Sequence, residues 1–334
     1  MNVKRLACAF YLSLLALPAL AQEGVAPPVA ADDAPATVVV TGHRPGPGVW
    51  KVSKGQHVLW VFGTYSPLPD KMEWDASRIE RLVTQSQEVL LPPIAKAHID
   101  FFQGITALPS LIGIKKNPDG VVLSDVLPSD VYAHWTTLKA KYIGEDEGVE
   151  HYRPIFAGEA LLRAGLKKNG LSFGGEVVGK IERIAKKHKI KTSDSGIDVM
   201  LDDPRKLVRD FKRSHVDDIT CLKQTLDTLD GDLATMRTHA NAWANGNIAE
   251  IRSLNYAERQ DTCLDAVLNS SFTKDADGLR QMREGLRVAW LKAAEKSLSS
   301  NASTFAVLEM RDIAGPKGYL AALQARGYAV ESPK

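Results

Sequence analysis

The chain has 334 residues, of which 44% are hydrophobic and 25% are charged, and its formal net charge is +2. This is the composition of an ordinary globular protein, and the length suits one large α/β domain or two smaller ones. The small charge gives no overall electrostatic bias toward nucleic acid or anionic lipid, and no nucleic-acid partner is predicted.

Residues 1–21 have the pattern of a secretory signal peptide. Lys4 and Arg5 form a short basic region, residues 6–20 are mostly apolar, and Ala19-Leu20-Ala21 is a small-x-small cleavage site. A transmembrane anchor is the alternative, but the apolar run is shorter than a span needs and contains Pro18. Cleavage removes two cations and no acid, which leaves a formal charge of zero. We therefore expect an exported protein, periplasmic or secreted, with no stable membrane span after cleavage.

A flexible tether and then a β-hairpin are predicted after the cleavage site. Residues 22–46 are rich in Ala and Pro and have no periodicity, as in a tether. The apolar runs at residues 48–52 and 58–62 flank a polar reversal that contains Gly55, a pattern typical of a hairpin.

The second apolar run ends in a tight turn that we take as the candidate site. Its residues are Gly63, Thr64, Tyr65 and Ser66, and the following Pro67 cannot continue a ladder of backbone hydrogen bonds. Proteins of the α/β class place ligand groups where a buried strand ends in such a turn.

The rest of the pattern predicts strands and short helices, then a long helical middle, then a strand–helix–strand ending. Predicted helices cover residues 74–87, 95–113, 128–142, 156–166, 177–188, most of 203–270, 278–297 and 318–326. Predicted extended segments cover residues 89–91, 121–124, 189–192, 305–310 and 328–330. We therefore expect an α/β fold in which one sheet is covered by helices and the helical middle is an insertion or a cover.

Two cysteines, Cys221 and Cys263, remain after the predicted cleavage. In an oxidising compartment they would form a disulfide that closes a loop of about 40 residues, worth roughly 4 kcal/mol in the chain-entropy model. Two separate buried thiols are the alternative.

The histidines exclude a local zinc site. There are eight, and the closest pair, His43 and His57, is 14 residues apart. Two imidazoles therefore cannot lie on adjacent turns of one helix, as they do in zinc proteases. The chain also lacks a G-x-S-x-G segment, so the usual esterase nucleophile is absent.

Segments from both ends and from the middle of the chain carry a family resemblance. They are Trp50-Lys51-Val52, Leu59-Trp60-Val61-Phe62-Gly63-Thr64, Leu123-Ser124-Asp125-Val126-Leu127-Pro128, Ala242-Trp243-Ala244-Asn245-Gly246-Asn247, Gly315-Pro316-Lys317-Gly318-Tyr319-Leu320 and Arg326-Gly327-Tyr328-Ala329-Val330. In this order they resemble the TraB/GumN family, which is similar to Tiki-type metalloproteases and to the fold of erythromycin esterase and ChaN-like proteins. The resemblance covers residues 47–334 as a single domain. It implies a mixed sheet flanked by helices, with two related halves.

The resemblance also implies metal-assisted hydrolysis by two G-x-x-H motifs, a nearby Glu and a helical Arg-Asn pair, but this sequence departs at each position. Ser66 and Asp312 stand where the two histidines are expected, and Glu309 stands at the second glycine. The expected Glu falls at Pro92, and of the Arg-Asn pair only Arg287 remains, out of register. A serine hydroxyl is a poor zinc ligand, and one aspartate favours only weak binding of a hard cation.

Three functions fit this pattern. The leading hypothesis is an exported, catalytically degenerate protein of this family that keeps the cleft, needs no cofactor and binds a peptide, a glycan or an envelope protein. The second is a hydrolase with a rebuilt site, in which Asp312, Glu309 and either Ser66 or Tyr65 surround a weakly bound divalent metal. The third is an accessory protein of polysaccharide export or envelope assembly. The sequence leaves the question of enzymatic activity open and favours its absence.

Overall fold

The structure is a computed structural model, and it describes residues 46–173, 175–214, 217–231, 233–252, 282–313 and 318–333. Residues 43–334 form one compact unit. The predicted signal peptide, and the predicted tether up to residue 45, lie outside the described residues. Cys263 also lies outside them, while Cys221 is buried, so the disulfide stays a prediction.

A six-stranded mixed sheet is the centre of the fold, which confirms the predicted α/β class. Two further sheets have two strands each, β3 with β6 and β5 with β8. The order in the main sheet is β10-β1-β2-β9-β4-β7, in which β1 is antiparallel to both of its neighbours and the other pairs are parallel. The strands are β1 (Val49–Lys54), β2 (His57–Thr64), β3 (Leu68–Pro69), β4 (Glu88–Leu90), β5 (Ala95–His98), β6 (Leu171–Ser172), β7 (Lys191–Ser193), β8 (Ile197–Met200), β9 (Ser303–Glu309) and β10 (Ala329–Glu331).

The helices cover the main sheet and form a second body in the middle of the chain. In the described part of the chain they are α1 (Ser77–Thr84), α2 (Phe101–Leu111), α3 (Leu123–Val126), α4 (Ser129–Tyr142), α5 (Pro154–Lys168), α6 (Glu176–Lys187), α7 (Pro204–Arg213), α8 (Asp218–Gly231), α9 (Leu233–Ala244), α10 (Ile248–Arg252), α11 (Met282–Ser300), α12 (Met310–Ile313) and α13 (Tyr319–Ala325). Short 3-10 turns occupy Pro118–Gly120 and Gly148–His151. No helix among these residues is long and apolar enough to cross a membrane.

The predicted hairpin is confirmed. Strands β1 and β2 pair from Val49↔Phe62 to Lys54↔His57 and are joined by a two-residue turn. Gly55 has φ of +61° in that turn, a backbone conformation that glycine adopts without a steric penalty. Val52, Leu59 and Val61 are fully buried, so the hairpin is a central part of the core.

Two hydrophobic cores account for most of the buried apolar side chains. The larger surrounds the main sheet and includes Phe62, Trp243, Trp290 and Phe305. The smaller lies among α3, α4, α5 and α8, around the fully buried Trp135. The helical middle therefore has its own apolar core, as a cover or insertion should.

Two segments of the chain repeat the same order of elements and lie side by side. One is α1-β4-β5-α2 and the other is α6-β7-β8-α7. Strand β4 pairs with β7, β5 pairs with β8, and the matching helices pack together. Asp100 and Asp203, at equivalent positions, cap α2 and α7 by accepting backbone N–H bonds. This agrees with the two related halves that the family resemblance implies.

Two local predictions are wrong. Residues 95–98 were expected to begin a helix, but they form β5, because they pair with Ile197–Met200 about 100 residues later. That partner strand was not predicted. Residues 121–124 were expected to be extended, but α3 begins at Leu123, where the Asp125 side chain accepts a hydrogen bond from the Val122 N–H.

Glu88 is a buried carboxylate that joins the amino ends of the central strands. It accepts hydrogen bonds from Ser193, from Lys191 Nζ at 3.0 Å, from Ser297 Oγ at 3.1 Å and from Asn301 Nδ2 at 2.8 Å. Burial by itself raises the pKa of Glu88, but these four donors outweigh it and lower the pKa to about 2. The ionised carboxylate therefore links β4 to β7 and to the segment that leads into β9.

We expect Glu88 to make stability depend on pH. Its pKa is about 2 in the folded chain, against 4.5 for a glutamate with no such partners. Its contribution, about 3 kcal/mol, should be complete above pH 4.5 and should be lost as the pH falls toward 2. Urea unfolding at several pH values should show that the free energy of unfolding falls less at acid pH for Glu88→Gln than for the wild type. Glu182→Gln, at an exposed position, is the control, and an unchanged acid loss in Glu88→Gln would contradict this role.

Candidate functional site

The candidate site lies at the carboxyl ends of neighbouring parallel strands. Thr64, at the end of β2, is in register with Glu309, at the end of β9. Ser66 follows Thr64 by two residues, and Asp312 follows Glu309 by three. The next strand, β4, ends at Leu90, so the position of the expected Glu, Pro92, follows at the same edge. The three positions inferred from the resemblance are thus brought to one edge of the sheet.

Gly63 allows the chain after β9 to pack tightly against β2. A Cβ atom at this position would lie 2.3 Å from Met310 Sδ, 3.0 Å from Trp50 Cζ3 and 3.2 Å from Ile313 Cδ1. Met310 and Ile313 belong to α12, the short helix that carries Asp312. A side chain at residue 63 would therefore force the Met310 and Ile313 side chains of α12 to repack.

Hydrogen bonds from two buried side chains fix the turn. The Trp243 indole N–H donates to the Gly63 carbonyl at 2.7 Å, and the Thr64 hydroxyl donates to the Leu308 carbonyl at 3.2 Å. Trp243 lies on α9 and packs on Phe62 and Trp74, with ring centroids 6.2 and 5.5 Å away. Thr64 was a candidate site residue, but its hydroxyl holds two strands together and is only 9% exposed as a residue.

Of the remaining turn residues, Ser66 is the one that solvent reaches most. Tyr65 is buried within the main core, whereas Ser66 is partly exposed and precedes a cis peptide bond to Pro67. Among Gly63, Thr64, Tyr65 and Ser66, the structure therefore leaves Ser66 as the side chain that can meet a ligand.

The carboxylate of Glu309 is engaged by a neighbouring cation. Arg311 Nε lies 2.7 Å from Glu309 Oε2, and both side chains are partly exposed. Asp312 lies one residue further along α12 and is partly buried. Glu309 and Asp312 are therefore both at the strand end, but the charge of Glu309 is already balanced.

The charges of Arg287 and Asp312 both act on the hydroxyl of Tyr319, a buried residue. Burial raises the pKa of Tyr319, the negative charge of Asp312 raises it further, and the positive charge of Arg287 opposes both. The Trp290 and Tyr319 rings also pack together, with centroids 5.4 Å apart. Helices α11 and α13 thus bring Arg287, Trp290 and Tyr319 toward the end of β9.

Two buried N–H groups on α11 have no acceptor among the described residues. Within the described part of the chain, Arg287 Nε and Trp290 Nε1 are out of contact with solvent and have no hydrogen-bond partner. A buried donor without an acceptor costs about 1–3 kcal/mol, so an acceptor that reached these groups would be bound favourably. From the sequence pattern Trp290 is interpreted as a core or helix-packing residue, and Tyr319 lies in the predicted helix 318–326 and in the family resemblance. Neither was predicted to lie at the site.

A small groove adjoins the residues that follow the turn. Its volume is about 150 Å³, and Trp74, Lys180 and Arg183 are among the side chains that line it. Lys180 Nζ lies 4.5 Å from the centre of the Trp74 ring. Ligand pockets usually enclose roughly 300–1,000 Å³, so this groove suits one side chain or one sugar ring.

The donor set at the strand ends does not fit the metal that the resemblance implies. In the described ranges, no three His, Cys, Asp or Glu side chains are placed to hold a metal ion. Ser66 offers a hydroxyl, Pro92 offers no ligand atom, and Glu309 is paired with Arg311. Zinc sites need three or four N, S or carboxylate ligands around one point.

We expect Gly63→Ala to destabilise the fold. The added methyl group would meet the Met310 sulfur at far less than contact distance, and such overpacking lowers the free energy of unfolding by about 1–3 kcal/mol. Gly179→Ala is the matched control, because its Cβ would meet only the far end of Arg183 at 3.4 Å. Inside a helix that control should raise the free energy of unfolding by about 0.5–1 kcal/mol. Equal urea midpoints for Gly63→Ala and the wild type would contradict the packing argument.

Comparison with known proteins identifies the family. The TraB/PrgY/gumN family model matches residues 48–332, which include all the strands and helices described above. No curated protein and no solved structure was found to match the chain. The match spans most of the sequence and confirms the resemblance on which the site positions were chosen. The chain therefore belongs to the TraB/PrgY/gumN family.

Proposed function

We propose that this protein is an exported, non-hydrolytic member of its family that binds an acidic peptide or glycan at the carboxyl ends of β2 and β9. The observation that carries the proposal is the set of side chains at the three strand ends. Ser66, Pro92 and Asp312 replace the two histidines and the glutamate of the family pattern. Export is proposed from the basic, apolar and small-residue pattern of residues 1–21.

Loss of metal-dependent hydrolysis follows from the chemistry of these side chains. Among the described residues at the carboxyl ends of β2, β4 and β9, Ser66, Pro92 and Asp312 offer no imidazole nitrogen to hold zinc. The carboxylate of Glu309, at the end of β9, is paired with Arg311 at 2.7 Å. We accordingly propose that the site needs no metal cofactor.

Binding of an acidic group is supported by the donors that face the same region. Arg287 Nε and Trp290 Nε1 are buried and, among the described residues, have no acceptor. Arg287 Nη1 lies 3.4 Å from Glu284 Oε1, and a ligand carboxylate that reached Arg287 Nε would form a charge-assisted hydrogen bond with it. The groove beside Trp74, Lys180 and Arg183 offers an aromatic face and two cations to a neighbouring sugar ring or side chain.

A metal and activity assay tests the loss of hydrolysis. Protein from expression of the full chain should contain substoichiometric zinc, manganese and calcium, and should show no chelator-sensitive cleavage of casein or of p-nitrophenyl acetate. The alternative hydrolase would contain metal in a stoichiometric amount. Chelator-sensitive activity that disappears in Ser66→Ala or Asp312→Ala, but persists in the exposed control Asp227→Ala, would overturn the proposal.

A titration tests the proposed ligand class. Polygalacturonate and a glutamate-rich peptide serve as probes of an acidic glycan and an acidic peptide, measured by calorimetry. Arg287→Gln should weaken binding of the favoured probe by about tenfold or more, because a hydrogen bond to a charged group is lost. Arg81→Gln, at an exposed position on α1, should leave the affinity unchanged. If neither probe binds, or if Arg287→Gln binds as the wild type does, the proposal of an acidic ligand is wrong.

A further inference from the structure

Helix α2 presents an apolar stripe to solvent. Phe101, Ile105, Leu108 and Ile112 are 72%, 51%, 59% and 78% exposed. The spacing of four and three residues places Phe101, Ile105 and Leu108 on one side of the helix, and Ile112 follows directly after its last residue. Phe102, which is 74% exposed, borders the stripe. Single exposed apolar residues are normal on a soluble protein, but a contiguous row of this kind marks an interaction surface.

Helix α7 lies beside α2 and is held there at both ends. At the beginning, the strands that lead into the two helices pair with each other, as in His98↔Met200. At the end, Lys212 Nζ donates to the Ile112 carbonyl at 2.7 Å. The end of α7 is also fixed to the helical body, because Arg153 donates to the Phe211 carbonyl at 2.8 Å. The two helices therefore form one surface, which we call the α2/α7 face.

The exposed side of α7 is cationic. Arg205, Lys206, Arg209 and Arg213 are all exposed along it. Lys206 pairs with Asp210 at 2.7 Å. In the part of the chain that the structure describes, none of the three arginines forms an ion pair. Equivalent helices of the two halves thus carry different surfaces, one apolar and one basic.

The acidic groups near the α2/α7 face are concentrated at its other end. Asp100 and Asp203 cap the two helices, Asp198 bonds to His98 at 2.7 Å, and Asp202 is exposed nearby. Toward the carboxyl ends of α2 and α7, most of the exposed charged side chains are positive. There, exposed Lys115 and Lys116 follow α2 in the sequence, so Leu108 and Ile112 lie beside the cations.

We propose that the α2/α7 face docks the protein on the surface of a lipid bilayer with anionic headgroups. An apolar stripe beside a row of cations is the pattern of helices that lie in the membrane interface, with the apolar side about 5–10 Å deep. The attraction is local, because charges act over about 8 Å at physiological salt, and so it does not require a basic protein. This inference does not depend on the ligand or the chemistry of the site at β2 and β9.

A bilayer fits the α2/α7 face better than a second copy of the chain does. In a symmetric dimer the same face meets itself, so the arginines of one copy would take their acidic partners from that face of the other. Helix α7 carries one carboxylate, Asp210, and it already pairs with Lys206. An anionic bilayer supplies acyl chains for the stripe and negative headgroups for the arginines at the same time.

Vesicle sedimentation tests the proposal. Protein is prepared by expression of the full chain, and its N-terminus is established by mass spectrometry so that all variants are compared with the same ends. The wild type should sediment with vesicles of phosphatidylcholine and phosphatidylglycerol, less with phosphatidylcholine alone, and less at high salt. The triple variant Arg205→Gln, Arg209→Gln, Arg213→Gln should bind the mixed vesicles about 100-fold more weakly, since each cation near an anionic surface strengthens binding about fivefold.

A second variant tests the apolar stripe. Ile105→Gln, Leu108→Gln and Ile112→Gln together should weaken binding to both kinds of vesicle by more than about tenfold. All three side chains are more than half exposed, so the fold should persist, and circular dichroism checks this. The control is Lys167→Gln, Lys186→Gln, Lys223→Gln, three exposed cations on other helices, which should bind as the wild type does.

Three outcomes would overturn the proposal. In the first, the wild type does not sediment with the mixed vesicles. In the second, both triple variants bind the vesicles as the wild type does. In the third, the wild type forms a dimer in solution that the stripe variant abolishes while neither binds vesicles. That result would assign the α2/α7 face to contact between copies.

Discussion

The parallel pairing of β2 with β9 is the interaction on which the rest of the structure depends. It joins residues 244 apart in sequence, as in the bond from Thr64 to Leu308, and places the ends of both strands at one edge. Gly63 lets the side chains of α12 pack closely on this pair, because a Cβ atom there would lie 2.3 Å from Met310 Sδ. Trp243, in the helical middle of the chain, donates a hydrogen bond to the Gly63 carbonyl and so joins that part of the chain to the turn. Three distant parts of the chain therefore meet at one glycine.

Much of this fold could be predicted from sequence where the pattern is local. The apolar run of β2, the reversal at Gly55 and the helix that follows Pro128 are each specified by neighbouring residues. Strand β5 is not, since Ala-Lys-Ala-His has no strand preference and takes its form from Ile197–Met200. Such a pairing between distant segments leaves no trace in either segment alone.

The candidate site was only partly predictable, because it too is assembled from segments that are distant in the sequence. The resemblance located Ser66, Pro92 and Asp312, and the topology places all three beyond the ends of adjacent parallel strands. Trp290 and Tyr319 could not be assigned a role, because an aromatic residue at helical spacing is as compatible with core packing as with a ligand site. Their relation to Arg287 and Asp312 appears only when α11 and α13 are folded against β9.

The position of Glu88 has a consequence for how such a protein can change over time. Lys191 begins β7, and Ser297 and Asn301 precede β9, so three of its four donors lie toward the amino ends of the strands, with Ser193 within β7. Ser66 and Asp312 lie beyond the carboxyl ends of β2 and β9. The polar network that secures the sheet therefore shares no side chain with the site. Substitutions at the carboxyl edge are decoupled from the stability that Glu88 provides, so a scaffold of this kind can lose one chemistry and acquire another while it continues to fold.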